Sequence, residues 1–231
     1  MATRRITIAI DGHSSAGKST MAKALARELN YVYIDTGAMY RAATLYAMKE
    51  RFIINGQVDV ESLEGSLDNM VLSFKFNPAT ETSDMHIGGI NVEKEIRTLE
   101  VAKNVSTIAK IRPVRTKLVA LQKRMAEGSG VVMDGRDIGT VVLPDAELKF
   151  FMTADPEVRA WRRLKEIKDK GPETTFDEVL ENVLHRDKLD SERAVAPLKQ
   201  AEDAVIIDNS NLTMEEQFEF MLNVATKRME L

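Results

Sequence analysis

Short apolar runs that end in an acidic residue recur along the chain and alternate with amphipathic stretches. The first run covers residues 6–10 and ends at Asp11, and the second covers residues 31–34 and ends at Asp35. Runs of this length that are rich in β-branched residues are typical of buried strands. The same pattern predicts three further strands at residues 131–133, 148–152 and 205–207.

Helical stretches lie between these runs, and several carry start or stop signals. Residues 18–29 and about 38–50 are predicted helices. A further helix is expected after Asp155, where Pro156 suits the first helical position. The remaining signals are capping boxes at residues 175–178 and 213–216 and C-terminal cap glycines at Gly128 and Gly171.

The alternation is broken once, between residues 71 and 92. This stretch is strand-like, carries turn signals at Pro78 and at residues 88–89, and contains no helix, so it predicts a small antiparallel insert. Helical sequence resumes at about Thr98 and is expected to break at residues 112–113. Elsewhere the alternation predicts parallel β-α-β units, and we expect a three-layer α/β/α sandwich around a parallel sheet.

Composition narrows the range of functions. The 231 residues, 44% of them hydrophobic, can bury a sizeable core. The net charge of −4 disfavours a nucleic-acid partner, and the absence of cysteine excludes disulfides and thiolate metal sites. No apolar run approaches the length of a membrane span or a signal core, so we expect a cytoplasmic protein with no membrane partner.

A phosphate-binding loop follows the first strand. Residues 12–19 read Gly-His-Ser-Ser-Ala-Gly-Lys-Ser and match G-x-x-x-x-G-K-S/T, between a predicted strand and a predicted helix. Lys18 is expected to bridge the β- and γ-phosphates of a nucleotide, and the Ser19 hydroxyl to reach Mg²⁺. The strand-end carboxylate of Asp134 is the expected partner of that magnesium, through water. The alternatives are a glycine-bearing turn that happens to carry a lysine, and an acid that merely ends a strand.

Such a loop alone names no substrate, because switches, motors and kinases all use it. A guanine-nucleotide switch also needs an Asn-Lys-x-Asp base reader and an Asp-x-x-Gly segment, and the chain has neither. A regulatory ATP-binding module remains the alternative from a different class.

Three arginine-bearing segments point to a phosphorylated acceptor. Residues 35–41 read Asp-Thr-Gly-Ala-Met-Tyr-Arg, residues 134–140 read Asp-Gly-Arg-Asp-Ile-Gly-Thr, and residues 193–198 read Arg-Ala-Val-Ala-Pro-Leu. The first two follow predicted strands, where ligands collect in open parallel sheets. Arginine suits this task because its planar fork binds two phosphate oxygens and stays charged.

With these segments the sequence resembles the bacterial cytidylate kinases, from the first strand to the C-terminal helix. The Glu-Ile-Arg-Thr segment at residues 95–98 adds to the likeness, whereas adenylate and shikimate kinases share only the loop. The resemblance implies a P-loop kinase core with a small α/β insert on the substrate side and a helical lid. The expected segments are core residues 1–50, the insert 51–112, core residues 113–154, the lid 155–197 and core residues 198–231.

The resemblance also implies transfer of the γ-phosphoryl of ATP to CMP or dCMP, with ATP as co-substrate and Mg²⁺. An active monomer is expected, because nothing in the sequence suggests a shared site. The residues expected to bind ATP are Gly12, His13, Ser14, Ser15, Ala16, Gly17, Lys18, Ser19, Thr20, Arg159 and Arg162. The residues expected to bind the acceptor are Thr36, Tyr40, Arg41, Ser106, Arg115, Asp134, Gly135, Arg136, Asp137, Arg186, Asp190 and Arg193. The expected catalytic residues are Lys18, Arg41, Arg136, Arg162 and Arg193.

Within the acceptor set, the resemblance assigns three tasks. The acceptor phosphate would be bound by Tyr40, Arg41, Arg136 and Arg193. The cytosine edge would be read by Ser106, Arg115 and Asp137. The ribose hydroxyls and the phosphate would be approached by Arg186 and Asp190. Residues 208–211 would border the adenine of ATP.

Several of these residues have plainer alternatives. Arg159, Arg162 and Arg163 could be ordinary solvated charges on a helix. Ser106 and Arg115 could serve only the packing of helices, and a UMP kinase on the same scaffold is the nearest enzymatic alternative. The three histidines, at positions 13, 86 and 185, show no metal-ligand spacing and are expected at the surface or in loops.

Three positions depart from the family pattern. The family's phosphate loops often carry proline after the first glycine and a further glycine within the loop, where this chain has His13 and Ser15. Thr36 replaces a frequent serine and keeps the hydroxyl. The glycines, lysine and serine that the motif requires are all present.

Overall fold

The computed structural model describes residues 4–79, 82–128, 130–168 and 174–230. The chain divides into two compact units: Met1–Ile34 with Ala126–Leu231, and Asp35–Met125. The segment boundaries expected from the sequence, including an insert at residues 51–112, stay a prediction.

The first unit is built on a five-stranded sheet with the order β10-β9-β1-β8-β2. The pairs β1–β8, β1–β9 and β9–β10 are parallel, so a mixed α/β fold with a central parallel sheet is confirmed. Its strands are β1 (Thr7–Gly12), β2 (Val32–Asp35), β8 (Val131–Asp134), β9 (Leu148–Thr153) and β10 (Val205–Asp208). Its helices are α1 (Lys18–Leu29), α6 (Pro156–Lys168), α7 (Phe176–Glu192) and α8 (Met214–Met229).

The core of this unit lies between the sheet and the helices α1 and α8. Ile8 and Ile10 of β1 and Phe150 of β9 are buried, together with Leu25 of α1 and Met221 of α8. A second, smaller cluster joins α6 to α7 through Ala160, Leu164, Val179 and Val183. Burial of apolar surface at about 25 cal/mol per Å² is what stabilises both clusters.

The second unit combines helices with two small antiparallel sheets. The strands β5, β6 and β7 form one sheet, and the hairpin of β3 and β4 forms the other. The antiparallel insert predicted between residues 71 and 92 is therefore confirmed. The strands are β3 (Ile53–Ile54), β4 (Gln57–Val58), β5 (Leu72–Asn77), β6 (Thr82–Ile87) and β7 (Ile90–Asn91). The helices are α2 (Thr36–Lys49), α3 (Val60–Ser66), α4 (Leu99–Ile108) and α5 (Arg112–Met125).

Most predicted helix signals are confirmed. Both capping boxes form, with Thr175 and Thr213 as the capping residues. Pro156 is the first residue of α6. Gly128 lies just after α5 with a φ of +93°, and Gly171 lies outside the described residues.

The break in helical sequence expected at residues 112–113 is confirmed to within a few residues, since α4 ends at Ile108 and α5 begins at Arg112. Pro113 is the second residue of α5, where a missing N–H is harmless because the first turn has no intrahelical acceptor for it. One expectation is corrected. His86 is not at the surface or in a loop, because it lies buried on β6 with its Nδ1 3.1 Å from the Asp84 carbonyl oxygen. The strand-like sequence pattern predicts that His86 lies on a strand. No local pattern indicates whether a single histidine on that strand is buried.

Candidate active site

The loop between β1 and α1 requires glycine at both glycine positions of its motif. Gly12 has a φ of +144°, and a Cβ there would lie 1.9 Å from the carbonyl oxygen of Met152. Gly17 has a φ of +84° and directly precedes α1. Ser15 also adopts left-handed backbone, with a φ of 59°, which costs a residue other than glycine about 1 kcal/mol. The serine therefore keeps the backbone shape that a glycine would adopt without strain.

Three carbonyl oxygens of this loop accept hydrogen bonds from side chains. The His13 carbonyl accepts from Lys18 Nζ at 2.6 Å, and the Ser14 carbonyl accepts from Arg159 Nη1 at 3.3 Å. The Ala16 carbonyl accepts from Asn209 Nδ2 at 2.8 Å. Since the N–H of a planar trans peptide points away from its C=O, these bonds fix the direction of the intervening N–H groups. The loop is thereby set to present N–H donors to an anion.

Lys18, which begins α1, is a buried cation. Burial lowers the pKa of Lys18 well below its ordinary value, and the charge of Arg136 lowers it further. The carboxylates of Asp134, Asp11 and Asp190 oppose this shift. A phosphate beside the ammonium would supply additional negative charge and favour the protonated lysine, which is what a phosphate-binding lysine requires.

The hydroxyl of Ser19 and the carboxylate of Asp134 lie together at the ends of neighbouring elements. Ser19 Oγ donates to Asp134 Oδ2 at 2.8 Å, and the Tyr33 hydroxyl donates to Asp134 Oδ1 at 2.8 Å. Asp134 lies opposite Ile10 in the β1–β8 register, and Ile10 directly precedes the Asp11–Gly12 pair at which the loop begins. Oxygen donors of this kind suit Mg²⁺, which keeps several waters and uses one or two protein ligands with substrate phosphates. Among the described residues, no group of three or more histidine or acidic side chains is placed to hold a metal by itself.

The loop after β8 carries two ion pairs. Arg136 Nε lies 2.8 Å from Asp190 Oδ2, and Arg193 Nη2 lies 3.1 Å from Asp137 Oδ1. The side chains of Arg193 and Asp137 are each 7% exposed. Burial alone would raise the pKa of Asp190, but the charge and hydrogen bond of Arg136 outweigh it and hold the pKa below its ordinary value. The structure therefore brings these four predicted acceptor residues together in the first unit.

Gly135 and Arg186 complete the acceptor residues of the first unit. The Gly135 N–H donates to the Ile10 carbonyl at 3.0 Å, which continues the β1–β8 pairing into the loop. Arg186 lies half-buried on α7, and its charge lowers the pKa of Asp190. Gly135 is thus the sequence neighbour of Arg136, and Arg186 interacts with Asp190 through its charge.

The arginines of α6 are bound within the first unit. Arg159 is 2% exposed and forms two hydrogen bonds with Asp187 of α7, at 3.0 and 2.6 Å. Arg162 donates to the side chain and the carbonyl of Asn209, both at 2.8 Å. The alternative that Arg159 is a solvated charge is therefore excluded, whereas Arg163 contacts only its neighbour Glu166 on the same helix at 2.9 Å among the contacts described.

In the second unit, Asp35 forms ion pairs with two arginines. Its carboxylate caps α2 by accepting from the Ala38 N–H at 2.8 Å and lies 3.2 Å from Arg41 Nη2 and 3.3 Å from Arg97 Nη2. Burial raises the pKa of Asp35, but the charges of Arg41 and Arg97 prevail, and the pKa falls below its ordinary value. Arg41 Nε is buried and has no hydrogen-bond partner in the described part of the chain.

The other predicted acceptor residues of this unit lie on three helices. Thr36 is the buried first residue of α2, and Tyr40 lies one turn later. The guanidinium of Arg115 on α5 stacks over the Tyr40 ring at 5.6 Å and donates to the Ala109 carbonyl at 3.4 Å. Ser106 lies half-buried on α4. Tyr40 and Arg115 are thus brought together, and Arg115 also has a structural role.

The structure adds contacts of residues that the sequence did not assign to the binding or catalytic sets. Asn209, which lies in the segment expected to border the adenine, is fully buried and bonds to the phosphate loop, to Arg162 and to Gln217 of α8. Asp187 pairs with Arg159, one turn of α7 before Asp190. Both residues lie within segments that the sequence analysis had named. The spacing of residues does not show which side chain of a segment forms the buried hydrogen bonds, because that depends on the packing of distant elements.

Asp11 is the third such residue. It is 4% exposed at the end of β1, and its carboxylate accepts from the Ile138 N–H at 2.8 Å and from the Gly139 N–H at 2.7 Å. Burial raises the pKa of Asp11 from its ordinary value of 3.8 to about 6. The two backbone N–H groups and Lys18 lower it, and Asp137 raises it.

The stability of the protein should therefore depend on the protonation of Asp11. Its folded-state pKa is above the unfolded value, so its contribution to the free energy of unfolding is fully present below about pH 4 and is lost as the pH rises through about 6. A shift of this size corresponds to about 3 kcal/mol. We expect the free energy of unfolding of the native protein, relative to Asp11→Asn, to fall by up to that amount between about pH 4 and about pH 7.

Urea unfolding of both proteins across this range measures the difference. Asp145→Asn is the matched control, since Asp145 is exposed in the turn before β9 and its removal should give a difference that varies little with pH. A pH-independent difference for Asp11→Asn would contradict the assignment.

None of the helices among the described residues is long and apolar enough to cross a membrane.

Comparison with known proteins identifies the family. The sequence model described as cytidylate kinase matches residues 8–227. A protein named cytidylate kinase from Parabacteroides distasonis is 54% identical over 219 residues, covering 95% of this chain and 96% of that protein. A cytidylate kinase from Bacteroides thetaiotaomicron is also 54% identical over 219 residues, covering 94% and 95%.

The fold has a counterpart among solved structures. The crystal structure of TT1252 from Thermus thermophilus aligns with a TM-score of 0.50 at 16% identity, covering 97% of each chain. At that identity the likeness concerns the fold alone. The family match over nearly the whole sequence, together with relatives that are more than half identical, shows that the chain belongs to the cytidylate kinase family.

Proposed function

We propose that this protein transfers the γ-phosphoryl group of ATP to CMP, and to dCMP, giving ADP and CDP or dCDP. The observation that carries the proposal is the placement of two loops by neighbouring parallel strands. β1 leads into the phosphate loop, and β8 leads into the loop that carries Arg136 and Asp137. Phosphate-binding donors and acceptor-side arginines therefore start from the same edge of one sheet. Relatives named cytidylate kinase support the choice of acceptor.

The donor side uses the loop from Gly12 to Thr20. Its N–H groups and Lys18 would bind the phosphates of ATP, with the carbonyl groups of the loop held by side chains. Two arginines of α6 would contribute to ATP binding. Arg162, which is held by Asn209, would offer its positive charge to the phosphates, and Arg159 would support the loop through its hydrogen bond to the Ser14 carbonyl.

Mg²⁺ would be held by Ser19 directly and by Asp134 through water. The hydrogen bond between their side chains puts both oxygens in one place, and the donor set is the one that magnesium prefers. When bound, Mg²⁺ supplies positive charge that offsets the negative charge of the phosphate oxygens.

In the first unit, Arg136 and Arg193 are the residues proposed to bind the phosphate of CMP. In the second unit, taken by itself, Tyr40 and Arg41 are the phosphate-binding candidates. Cytosine offers an exocyclic amine that donates to oxygen and a ring nitrogen and carbonyl that accept from arginine. Asp137 and Ser106 suit the first task and Arg115 the second. The ribose would be approached by Arg186 and Asp190, with Thr36 and Gly135 lining the acceptor segments.

The chemistry needs alignment and charge more than it needs a base. A phosphate oxygen of CMP forms the new bond to the γ-phosphorus, and the bond from that phosphorus to the β–γ bridging oxygen breaks, which leaves ADP. The attacking oxygen is already anionic, so no strong general base is required. Lys18 and the arginines stabilise charge on the transferred group. We place the enzyme in the cytoplasm, where its nucleotides are, and expect it to act as a monomer.

ADP release measured with ATP, Mg²⁺ and one monophosphate at a time tests the proposal. We expect strong release with CMP and dCMP and little with UMP or AMP. ATP hydrolysis that is indifferent to every monophosphate would mean that the phosphate loop binds ATP but that the kinase assignment is wrong. Strong release with UMP would instead support a UMP kinase on the same scaffold.

Replacing Asp137 with asparagine should narrow the preference for CMP over UMP. A carboxylate accepts from the amine of cytosine, whereas an amide can also donate to the carbonyl of uracil. We expect the ratio of kcat/KM values for CMP and UMP to fall by about tenfold, since a hydrogen bond to a charged group contributes about 1.5 kcal/mol or more. Because Asp137 also pairs with Arg193, both activities will decline, and only the ratio is diagnostic. The ratio should be unchanged in the control Asp145→Asn, and an unchanged ratio in Asp137→Asn would remove Asp137 as a base reader.

A further inference from the structure

Asp11 lies at the junction of two functional loops without belonging to the motif of either. It is the last residue of β1 before Gly12, where the phosphate loop begins. Both of its carboxylate oxygens are occupied by backbone N–H groups of residues 138 and 139, which directly follow Asp137. One side chain thus joins the strand that enters the donor loop to the backbone that leaves the acceptor loop.

The backbone on both sides of this junction has little freedom. Gly12 is fixed against β9, since a Cβ would meet the Met152 carbonyl at 1.9 Å. On the other side, residues Ile138–Val142 form a single π-helical turn. Such turns are uncommon and are frequently found at functional sites. The Asp11 carboxylate supplies acceptors for the first N–H groups of this turn, which otherwise lack partners within it.

The residue types fit this junction closely. Each of the two carboxylate oxygens accepts from a different N–H, and an asparagine in the same place would put an N–H₂ donor where one of these acceptors stands. Gly139 leaves room for the Lys149 side chain beside this backbone, because a Cβ there would lie 3.1 Å from Lys149 Cδ and 3.3 Å from Lys149 Cγ, whereas its distance of 3.4 Å to Asp11 Oδ2 would be an ordinary contact. Lys149 is itself held by the Pro144 carbonyl and by Asp203, so its stem cannot simply move aside.

Burying a carboxylate beneath a turn costs free energy. Burial disfavours its charged form, and Asp137 nearby adds like-charge repulsion. The gain from this arrangement lies in what the tethered backbone carries, namely Arg136 and Asp137, which pair with Asp190 and Arg193. A displacement of about 1 Å in such groups can lower a rate about 100-fold.

We propose that Asp11 is a positioning residue for phosphoryl transfer: it ties β1 to the backbone at Ile138 and Gly139 and thereby holds Arg136 and Asp137 in register with the phosphate loop. The role rests on the proposed CMP kinase activity, whereas the tie itself does not. Asp11 acts through backbone and touches no substrate in this assignment.

Asp11→Asn tests the role at pH 7. Its amide can accept from only one of the two N–H groups and presents a donor to the other. We expect kcat/KM for CMP to fall by about 100-fold, the preference for CMP over UMP to narrow, and the dissociation constant of ATP, measured without CMP, to change by less than about threefold. Asp145→Asn removes the same charge from an exposed turn and should leave all three values unchanged.

A second variant guards against a folding defect. Gly139→Ala leaves Asp11 in place and presses a Cβ against the Lys149 stem at 3.1 and 3.3 Å, whereas its distance of 3.4 Å to Asp11 Oδ2 is an ordinary contact. Because Lys149 is held by Pro144 and Asp203, the backbone at Gly139 must shift relative to Asp11, and kcat/KM for CMP should fall in the same direction but less. Since both changes disturb the same tether of this backbone, the double variant should be no worse than Asp11→Asn within about threefold, rather than showing the product of the two losses. Additive losses, an unchanged kcat/KM for CMP, or equal losses of ATP and CMP binding would each overturn the positioning role.

Hydrogen exchange of the Ile138 and Gly139 amides, measured without nucleotide, separates this proposal from the proposed function. Both amides should be protected in the native protein and exchange at least about tenfold faster in Asp11→Asn. Loss of protection in a protein whose native form shows no transfer to CMP would mean that the tie exists but that the function is misassigned. Unchanged protection would overturn the tie, whatever the activity.

Discussion

Replacing Arg136 with alanine is expected to lower kcat for transfer to CMP by about 1,000-fold or more, the range over which arginines act on phosphoryl transfer. Arg136 follows β8 and is oriented by its 2.8 Å contact with Asp190. Its planar fork can bind two phosphate oxygens, and alanine removes both the charge and the donors. Steady-state kinetics with saturating ATP and CMP, together with the melting temperature of the variant, measure the effect.

Two further variants make this result specific. Arg136→Lys keeps the charge but loses the fork, so we expect an intermediate loss. Arg163→Ala removes an arginine of α6 that pairs with Glu166 along the helix, and it should leave kcat within about twofold. Turnover near the native level in Arg136→Ala would show that Arg136 plays no part in the transfer.

Replacing Lys18 with methionine is expected to lower kcat/KM for ATP by about 1,000-fold, since a preorganised cation at a developing phosphate charge contributes several kcal/mol. Methionine resembles the lysine stem in length and keeps the buried apolar contacts. The ammonium, which is surrounded by the carboxylates of Asp11, Asp134 and Asp190, is lost together with its bond to the His13 carbonyl. Kinetics at fixed saturating CMP and varied ATP give the value.

The control for this variant lies on the same helix. Lys23→Met removes an exposed lysine of α1 whose ammonium stacks on Tyr33 at 5.7 Å. It should retain near-native kcat/KM for ATP, because it lies outside the phosphate loop. If Lys18→Met behaves as this control does, the loop does not bind the phosphates of ATP through its lysine.

Much of the fold follows from local sequence signals. The β-branched runs, the capping boxes and the turn residues of the insert each act over a few residues, and the structure has strands, caps and hairpins at those positions. The helical break predicted at residues 112–113 lies at residues 109–111, and Pro113 stands in the first turn of α5. Proline thus indicates a break nearby, but it gives the helix boundary only to within a few residues.

The geometry of the candidate site was predictable where a motif defines backbone shape. The motif glycines have the positive φ values that the turn needs, and Ser19 donates to Asp134, so that two predicted oxygen donors lie together. Contacts between distant segments were not predictable, because side chains at similar spacings can point in several directions. Asn209 and Asp187 bond to the loop and to Arg159 across 193 and 28 residues of sequence. Asp11 carries no motif at all, and its partners are backbone atoms 127 and 128 residues away.

The central claim is that the phosphoryl group leaves ATP for CMP. The most direct measurement follows the label of γ-³²P-ATP in the presence of Mg²⁺ and CMP, with the products separated by chromatography. The account predicts that the label appears in CDP in equal amount to the ADP formed, and that Lys18→Met and Arg136→Ala suppress it. Label that accumulates as inorganic phosphate at the same rate with and without CMP would contradict the account.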